Sequence, residues 1–128
     1  MKFGIIGSGM IARFHAKAIE AMPGSELGSI YSRNAASSGA IGEEFGCQAF
    51  DDLDAFLADP KLEIVTIATP SGAHLEPSVA AARAGKHVIC EKPLEITTDR
   101  VDQMAAVGKE CGVTISGIFN RRFNPGLV

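Results

Sequence analysis

Gly7-Ser8-Gly9-Met10-Ile11-Ala12 has the form G-x-G-x-x-A and falls between a short apolar run and an amphipathic segment. Each small residue has a physical task in such a turn. Gly7 closes it tightly, Gly9 lets the backbone come close to a pyrophosphate, and Ala12 allows the following helix to pack on its strand. Backbone N–H groups at the helix start, with the helix dipole behind them, favour phosphate charge. The strand, the helix and a second strand ending at Tyr31 lie where a dinucleotide-binding unit needs them. A dinucleotide is therefore expected at Gly7, Ser8, Gly9, Met10 and Ile11. Another ligand of the same fold, or a purely structural turn, is the alternative.

The residues after the second predicted strand bear on which dinucleotide. NAD enzymes use an acidic residue here to hold the adenosine ribose hydroxyls, whereas this chain has Ser32-Arg33-Asn34. A carboxylate would repel a 2′-phosphate, but a hydroxyl and a guanidinium can bind one. Such a charge-assisted bond contributes about 1.5–3 kcal/mol. NADP is therefore expected over NAD, the alternative being that Arg33 stacks on adenine or points into solvent.

Thr69-Pro70-Ser71-Gly72-Ala73-His74 and Glu91-Lys92-Pro93 also sit at predicted strand ends, on the side where open α/β sheets bind ligands. Each has a plainer explanation. His74 could simply start a helix, Glu91 could cap backbone, and Lys92 could be a solvated turn lysine. Pro93 biases Lys92 toward extended backbone, and their peptide bond is a candidate for the cis form. His15, in the first helix, suits packing or surface, and His87, at a strand start, suits a structural role. The three histidines lack metal-ligand spacing, so no metal is expected.

These groups need strands to carry them. Lys2–Ile6, Leu27–Tyr31, Gln48–Phe50, Glu63–Ala68, Val88–Cys90 and Thr114–Phe119 are short and several are almost wholly apolar, as in a parallel sheet covered on both faces. Between them Ile11, Ala12, Ala16 and Ile19 recur at helical spacing, as do Leu75, Val79 and Ala82, and Val101, Met104, Ala105 and Gly108. Pro23-Gly24, Gly46, Gly85 and Gly112 supply helix stops. Asn34–Phe45 is a weaker helix because its serines and glycines are poor helix formers. The alternation predicts an α/β fold with a doubly wound, mainly parallel sheet and right-handed crossovers. Residues 1–128 are expected to form one dinucleotide-binding domain. Asn124 could cap a further helix with Pro125 in its first turn, so the end resembles a domain boundary.

Composition excludes several classes. With 128 residues, 46% of them hydrophobic, the chain can bury one core. Net charge is −3 and neither sign gathers into a run, so a nucleic-acid or membrane partner is not expected. Cys47, Cys90 and Cys111 are odd in number and form no Cys-x-x-Cys pair, which fits a reducing compartment. The N-terminal residues lack a signal-peptide pattern and no apolar run approaches a membrane span. The cytoplasm is expected.

Taken together, the glycine loop, Ser32-Arg33, the Thr69–His74 segment, Ala84-Gly85-Lys86-His87-Val88-Ile89-Cys90-Glu91-Lys92-Pro93 and the closing Asn120–Pro125 resemble the Gfo/Idh/MocA family of oxidoreductases, across nearly the whole chain. The resemblance implies a Rossmann domain whose nicotinamide cofactor exchanges a hydride with a carbon bearing a hydroxyl, on a sugar, polyol or related compound. It implies that Ser32 and Arg33 face the adenosine ribose and that Thr69, Pro70 and His74 line the nicotinamide side. Glu91 would lie beside the nicotinamide ribose, and Arg121 would border the cleft. Lys92 would be the catalytic residue, placing the substrate oxygen or taking part in its proton transfer.

Family members continue into a second α/β domain that supplies most substrate contacts and a general base, so residues 1–128 alone are expected to bind cofactor without completing the reaction. The face toward that domain is expected to be apolar and to allow self-association. The competing reading is a non-catalytic nucleotide-sensing or protein-interaction module, which intact Glu91-Lys92-Pro93 disfavours. A methyltransferase with an adenosyl cofactor fits the order of motifs poorly.

Overall fold

The computed structural model describes residues 1–119 and Gly126. Strands and helices alternate: β1 (Lys2–Ile6), α1 (Met10–Ala21), β2 (Glu26–Tyr31), α2 (Ala35–Phe45), β3 (Gln48–Phe50), α3 (Leu53–Leu57), β4 (Ile64–Ile67), α4 (Leu75–Arg83), β5 (His87–Cys90), α5 (Thr98–Cys111) and β6 (Ile115–Gly117). A 3-10 turn at Ser71–Ala73 leads into α4. The strands form one sheet in the order β3-β2-β1-β4-β5-β6, and each pairing is parallel. The expected doubly wound sheet is therefore present, with the strand that feeds the glycine loop at its centre. Strand order reverses between β1 and β4, which opens a crevice at their carboxyl ends.

Alternation along β1 shows why its apolar run is unbroken. Phe3 and Ile5 pack with Ala12, Ala16, Ile19, Ile30 and Ile41 on the face covered by α1 and α2. Ile6 points to the opposite face, where Phe56, Val65, Ile67, Leu75, Val88 and Met104 pack beneath α3, α4 and α5. Helices on both faces leave no solvent side for a polar residue to occupy.

Three local features depart from a simple sequence pattern. Strands expected at Glu63–Ala68 and Thr114–Phe119 shorten to Ile64–Ile67 and Ile115–Gly117, while β2 and β5 each begin one residue earlier than expected. Ladder hydrogen bonding sets these ends, and apolarity alone does not report it. The segment from Asn34 to Phe45 is helical despite its poor formers. Asn34 accepts a bond from the Ser37 amide at 3.1 Å, and a Cβ on Gly42 would lie 2.8 Å from the Cys47 carbonyl oxygen. Glycine there lets α2 lie close to β3, and packing overrides propensity. Helix α3 was not expected, because five residues are too few to show a helical period. Its start is fixed by Asp52, which accepts from the Ala55 amide at 3.1 Å.

Helix α3 delivers Phe56 into the core, fully buried and 6.0 Å between ring centroids from both Tyr31 and Phe50. A Cβ on Gly4 would come within 2.6 Å of that ring. The Gly4→Ala variant is expected to lose about 1–3 kcal/mol of stability through overpacking. Urea unfolding checks this, and an unchanged midpoint would show that Phe56 can move aside.

Candidate functional site

The turn after β1 is held from both neighbours. The Gly7 amide donates to the Tyr31 carbonyl at 2.8 Å, and the Ala68 amide donates to Ile6 at 2.8 Å. Gly7 adopts φ +123°, and a Cβ there would sit 2.7 Å from the Ala68 carbonyl oxygen. Only glycine tolerates both the dihedral and the approach. Gly9 precedes α1 with no side-chain cap, and the helix has no acidic residue in its first turn. Its first amides are thus available to an external acceptor. Beyond its chain neighbours, no described residue lies within 4 Å of where a Gly9 Cβ would project, so the backbone is open at that point.

A cleft of about 900 Å³ lies over the switch point, lined by Gly7, Ser8, Gly9, Met10, Ile11, Ser32, Arg33, Thr69 and Pro70 among others. Nine of the residues singled out in the sequence are thereby brought together. On the β2 side, Ser8 Oγ donates to Ser32 Oγ at 2.9 Å and the Asn34 amide donates to the same oxygen at 3.1 Å. Ser32 is fixed in place, while Arg33 is exposed at the rim. Leu53 of α3 and Glu76 of α4 also line the cleft. The sequence reading missed both, Leu53 because its helix was missed.

His74 is placed differently from expectation. It is 1% exposed and lies behind the cleft wall instead of lining it. Its Nδ1 faces the carbonyl oxygens of Pro93 and Leu94 at 2.8 and 3.1 Å, and its Nε2 faces that of Thr69 at 2.8 Å. Backbone carbonyls thus face the ring on both sides and hold it away from the cleft. The neighbouring Glu95, which the sequence did not single out, is equally buried. One of its oxygens accepts from the His74 and Leu75 amides at 3.1 and 2.8 Å, and the other from the Ile96 amide at 2.8 Å. Arg100 adds a bond at 3.3 Å and grips both oxygens of Glu76 at 2.7 and 2.8 Å. Burial alone would push the Glu95 carboxyl up. The amides of Ile96, Leu75 and His74, with the Arg100 guanidinium, outweigh it and hold the group at about 2.

Glu91 and Lys92 follow β5, at the same end of the sheet but outside the lining of the cleft. Lys92 is exposed, and its bond to Pro93 is cis, as the sequence suggested. His15 of α1 donates from Nε2 to Glu91 Oε1 at 2.7 Å. It falls in the buried stripe with Ala12, Ala16 and Ile19. A polar residue in such a stripe was the one available signal for this pair. His87 accepts at Nδ1 from the Thr114 amide at 3.0 Å, a structural role as expected. Burial pushes the Cys90 thiol up to about 12, helped by the charges of Glu95 and Glu91, so it is no nucleophile at neutral pH. Arg121 lies outside the described residues, as do Asn124 and Pro125.

Comparison with known proteins adds a family. Residues 1–119 match GFO_IDH_MocA, described as an oxidoreductase family with an NAD-binding Rossmann fold. The chain is 33% identical over 125 residues to an inositol 2-dehydrogenase of Rhizobium meliloti, covering 98% of the chain and 38% of that protein. It is 36% identical over 127 residues to a D-xylose 1-dehydrogenase (NADP(+)) of Haloferax volcanii, covering 98% and 39%. Among solved structures, the WlbA dehydrogenase of Bordetella pertussis, in complex with NADH and UDP-GlcNAcA, superposes with a TM-score of 0.93 at 31% identity, covering 98% and 39%. The chain thus spans well under half the length of these relatives.

Glu95 generates a pH prediction. Its folded-state value, about 2, lies below the ordinary 4.5. Its stabilisation is therefore fully present above the ordinary value, declines below it and is gone once pH falls through about 2. Thermal melting between pH 6 and pH 2 is expected to show a steeper acid loss in the native protein than in Glu95→Gln. Parallel curves would remove Glu95 from the acid response.

Proposed function

This chain belongs to the Gfo/Idh/MocA family of oxidoreductases, and we propose that it is the cofactor-holding domain of an NAD(P)-dependent dehydrogenase acting on a hydroxyl of a sugar, polyol or related compound. The observation that carries this reading is the glycine turn at the uncapped start of α1, open at Gly9 and seated on the switch point of the sheet. The geometry fits a pyrophosphate at the first amides of α1. The Gly7 amide takes no part, since it is already bonded to Tyr31. Bound there, the nicotinamide would supply or accept the hydride.

Ser32 and Arg33 serve the adenosine ribose in this reading, and NADP is the preferred cofactor. Ser8 and the Asn34 amide hold Ser32 in place, while Arg33 is free to pair with a 2′-phosphate at the rim. Thr69 and Pro70 form the wall toward the nicotinamide, Glu91 faces the nicotinamide ribose, and Lys92 holds the substrate oxygen. The remaining substrate contacts and a general base come from a second α/β domain. Large apolar side chains are exposed around this end of the sheet, with Met10 and Phe14 one turn apart on α1, and Ile96 and Phe119 following β5 and β6. They form the face toward that domain and a surface for self-association. Three free thiols fit the cytoplasm, and no described helix is long and apolar enough to cross a membrane.

Calorimetry with NADP and NAD tests the cofactor assignment. Native protein is expected to prefer NADP, and Arg33→Ala to weaken NADP by about tenfold or more, the scale of one charge-assisted bond, with little effect on NAD. Tighter NAD binding with no selective effect of the substitution would remove the 2′-phosphate assignment. In turnover assays on sugars and polyols with the whole protein, Lys92→Ala is expected to lower kcat by about 10²-fold or more. Dinucleotide affinity should change far less. Equal losses in both would make Lys92 a binding residue only.

A further inference from the structure

His15 sits in the buried stripe of the helix that begins at the glycine turn, and its imidazole meets a residue 76 positions away. Two observations define its chemistry. Nε2 lies 2.7 Å from Glu91 Oε1, with the two side chains 9% and 18% exposed. Nδ1 is buried and has no hydrogen-bond partner among the described residues. An ionised carboxylate can only accept, so Nε2 carries the proton. No described acceptor lies within reach of Nδ1, so the ring's bonded donor is the one on Nε2. One tautomer is thus selected, and its single donor is spent on Glu91.

Glu91 is restrained in turn. Among the described residues, its other oxygen accepts only a long bond from the adjacent Lys92 amide, at 3.2 Å. That oxygen keeps lone pairs for a further donor. The sheet makes the consequence specific. Its two halves each receive one half of a dinucleotide, with β1 to β3 on the adenosine side and β4 to β6 on the nicotinamide side. The His15–Glu91 bond ties the helix of the first half to the strand end of the second.

We propose that His15 is a positioning residue for the nicotinamide half of the cofactor, holding the Glu91 carboxylate so that its free oxygen accepts a hydroxyl of the nicotinamide ribose. This rests on the functional reading above. His15 does not touch the cofactor; it acts through Glu91.

The test separates positioning from helix support. Affinities for NADPH, NADH and adenosine diphosphate are measured by calorimetry on native protein and on His15→Ala, His15→Gln, Glu91→Ala and the double alanine variant. His15→Ala and Glu91→Ala are each expected to weaken whichever of NADPH and NADH binds better by about tenfold, the scale of one charge-assisted hydrogen bond. Adenosine diphosphate, which lacks the nicotinamide half, should weaken by less than about twofold. The double variant should lose no more than the worse single one, and His15→Gln, which keeps a donor, should recover most of the affinity. Glu91→Ala and His15→Gln preserve the test if His15→Ala does not fold. Equal weakening of adenosine diphosphate, additive losses in the double variant, or no recovery with glutamine would each overturn the inference while leaving the functional reading standing. Native protein that binds neither dinucleotide nor adenosine diphosphate would overturn both.

Discussion

The Ala68 carbonyl occupies the space into which any side chain at position 7 would project. That contact arises where the chain leaving β1 meets the chain leaving β4, the two strands between which the order of the sheet reverses. Everything at the site depends on this close approach. It requires Gly7 at φ +123°, and it leaves the Gly7 amide directed at Tyr31 of β2. Three strand ends are thereby fixed to one another before any ligand arrives. Helix α1 starts from this anchored turn, so the direction of its first amides is set by backbone contacts and owes nothing to a flexible side chain.

A second anchor lies beyond the ends of β4 and β5. Buried Glu95 gathers amides from the start of α4 and from its own loop, while the His74 ring spans the carbonyls of Thr69, Pro93 and Leu94. The loops after β4 and β5 are joined from behind the cleft wall. Thr69 contributes its carbonyl to this joined structure, and exposed Lys92 stands on it. The role proposed for Lys92 needs a backbone that does not drift, because small misplacements at a reacting centre cost much of the rate. The buried cluster supplies that rigidity.

What could be read from the residues follows from which interactions are local. The apolar runs of β1 and β4 report burial on both faces, and the glycine spacing reports a turn whose geometry needs small residues. Hence the sheet, its central strand and nine cleft residues were legible. Helix α3 was not, since a five-residue helix is made by one Asp52 cap and by tertiary packing of Phe56. The family resemblance implies a cleft position for His74, but the carbonyls of Pro93 and Leu94, 19 and 20 residues away, together with that of Thr69 decide where its ring goes. His15 was read as packing or surface, and its burial agrees. Its partner Glu91 could not be inferred, because nothing in residues 1–20 announces a carboxylate arriving from the end of β5. Glu95 carries no local signal at all, as its role is the sum of four donors from separate positions.

Charge explains why a chain with net charge −3 can still receive a diphosphate. Three carboxylates beyond the ends of β4 and β5 each have a partner. Glu76, which lines the cleft, is gripped by Arg100 through both oxygens; Glu91 is held by His15; Glu95 is surrounded by amides and Arg100. The hydrogen bond from Arg100 holds the Glu76 carboxyl below its ordinary value, so it stays ionised and paired. Arg100 offsets part of the negative charge of Glu76 and Glu95 beside the cleft. The glycine turn then needs only aligned amides and a helix start to favour the anion. Geometry at α1, with the neighbouring acids already engaged, replaces the broadly basic surface that this sequence does not have.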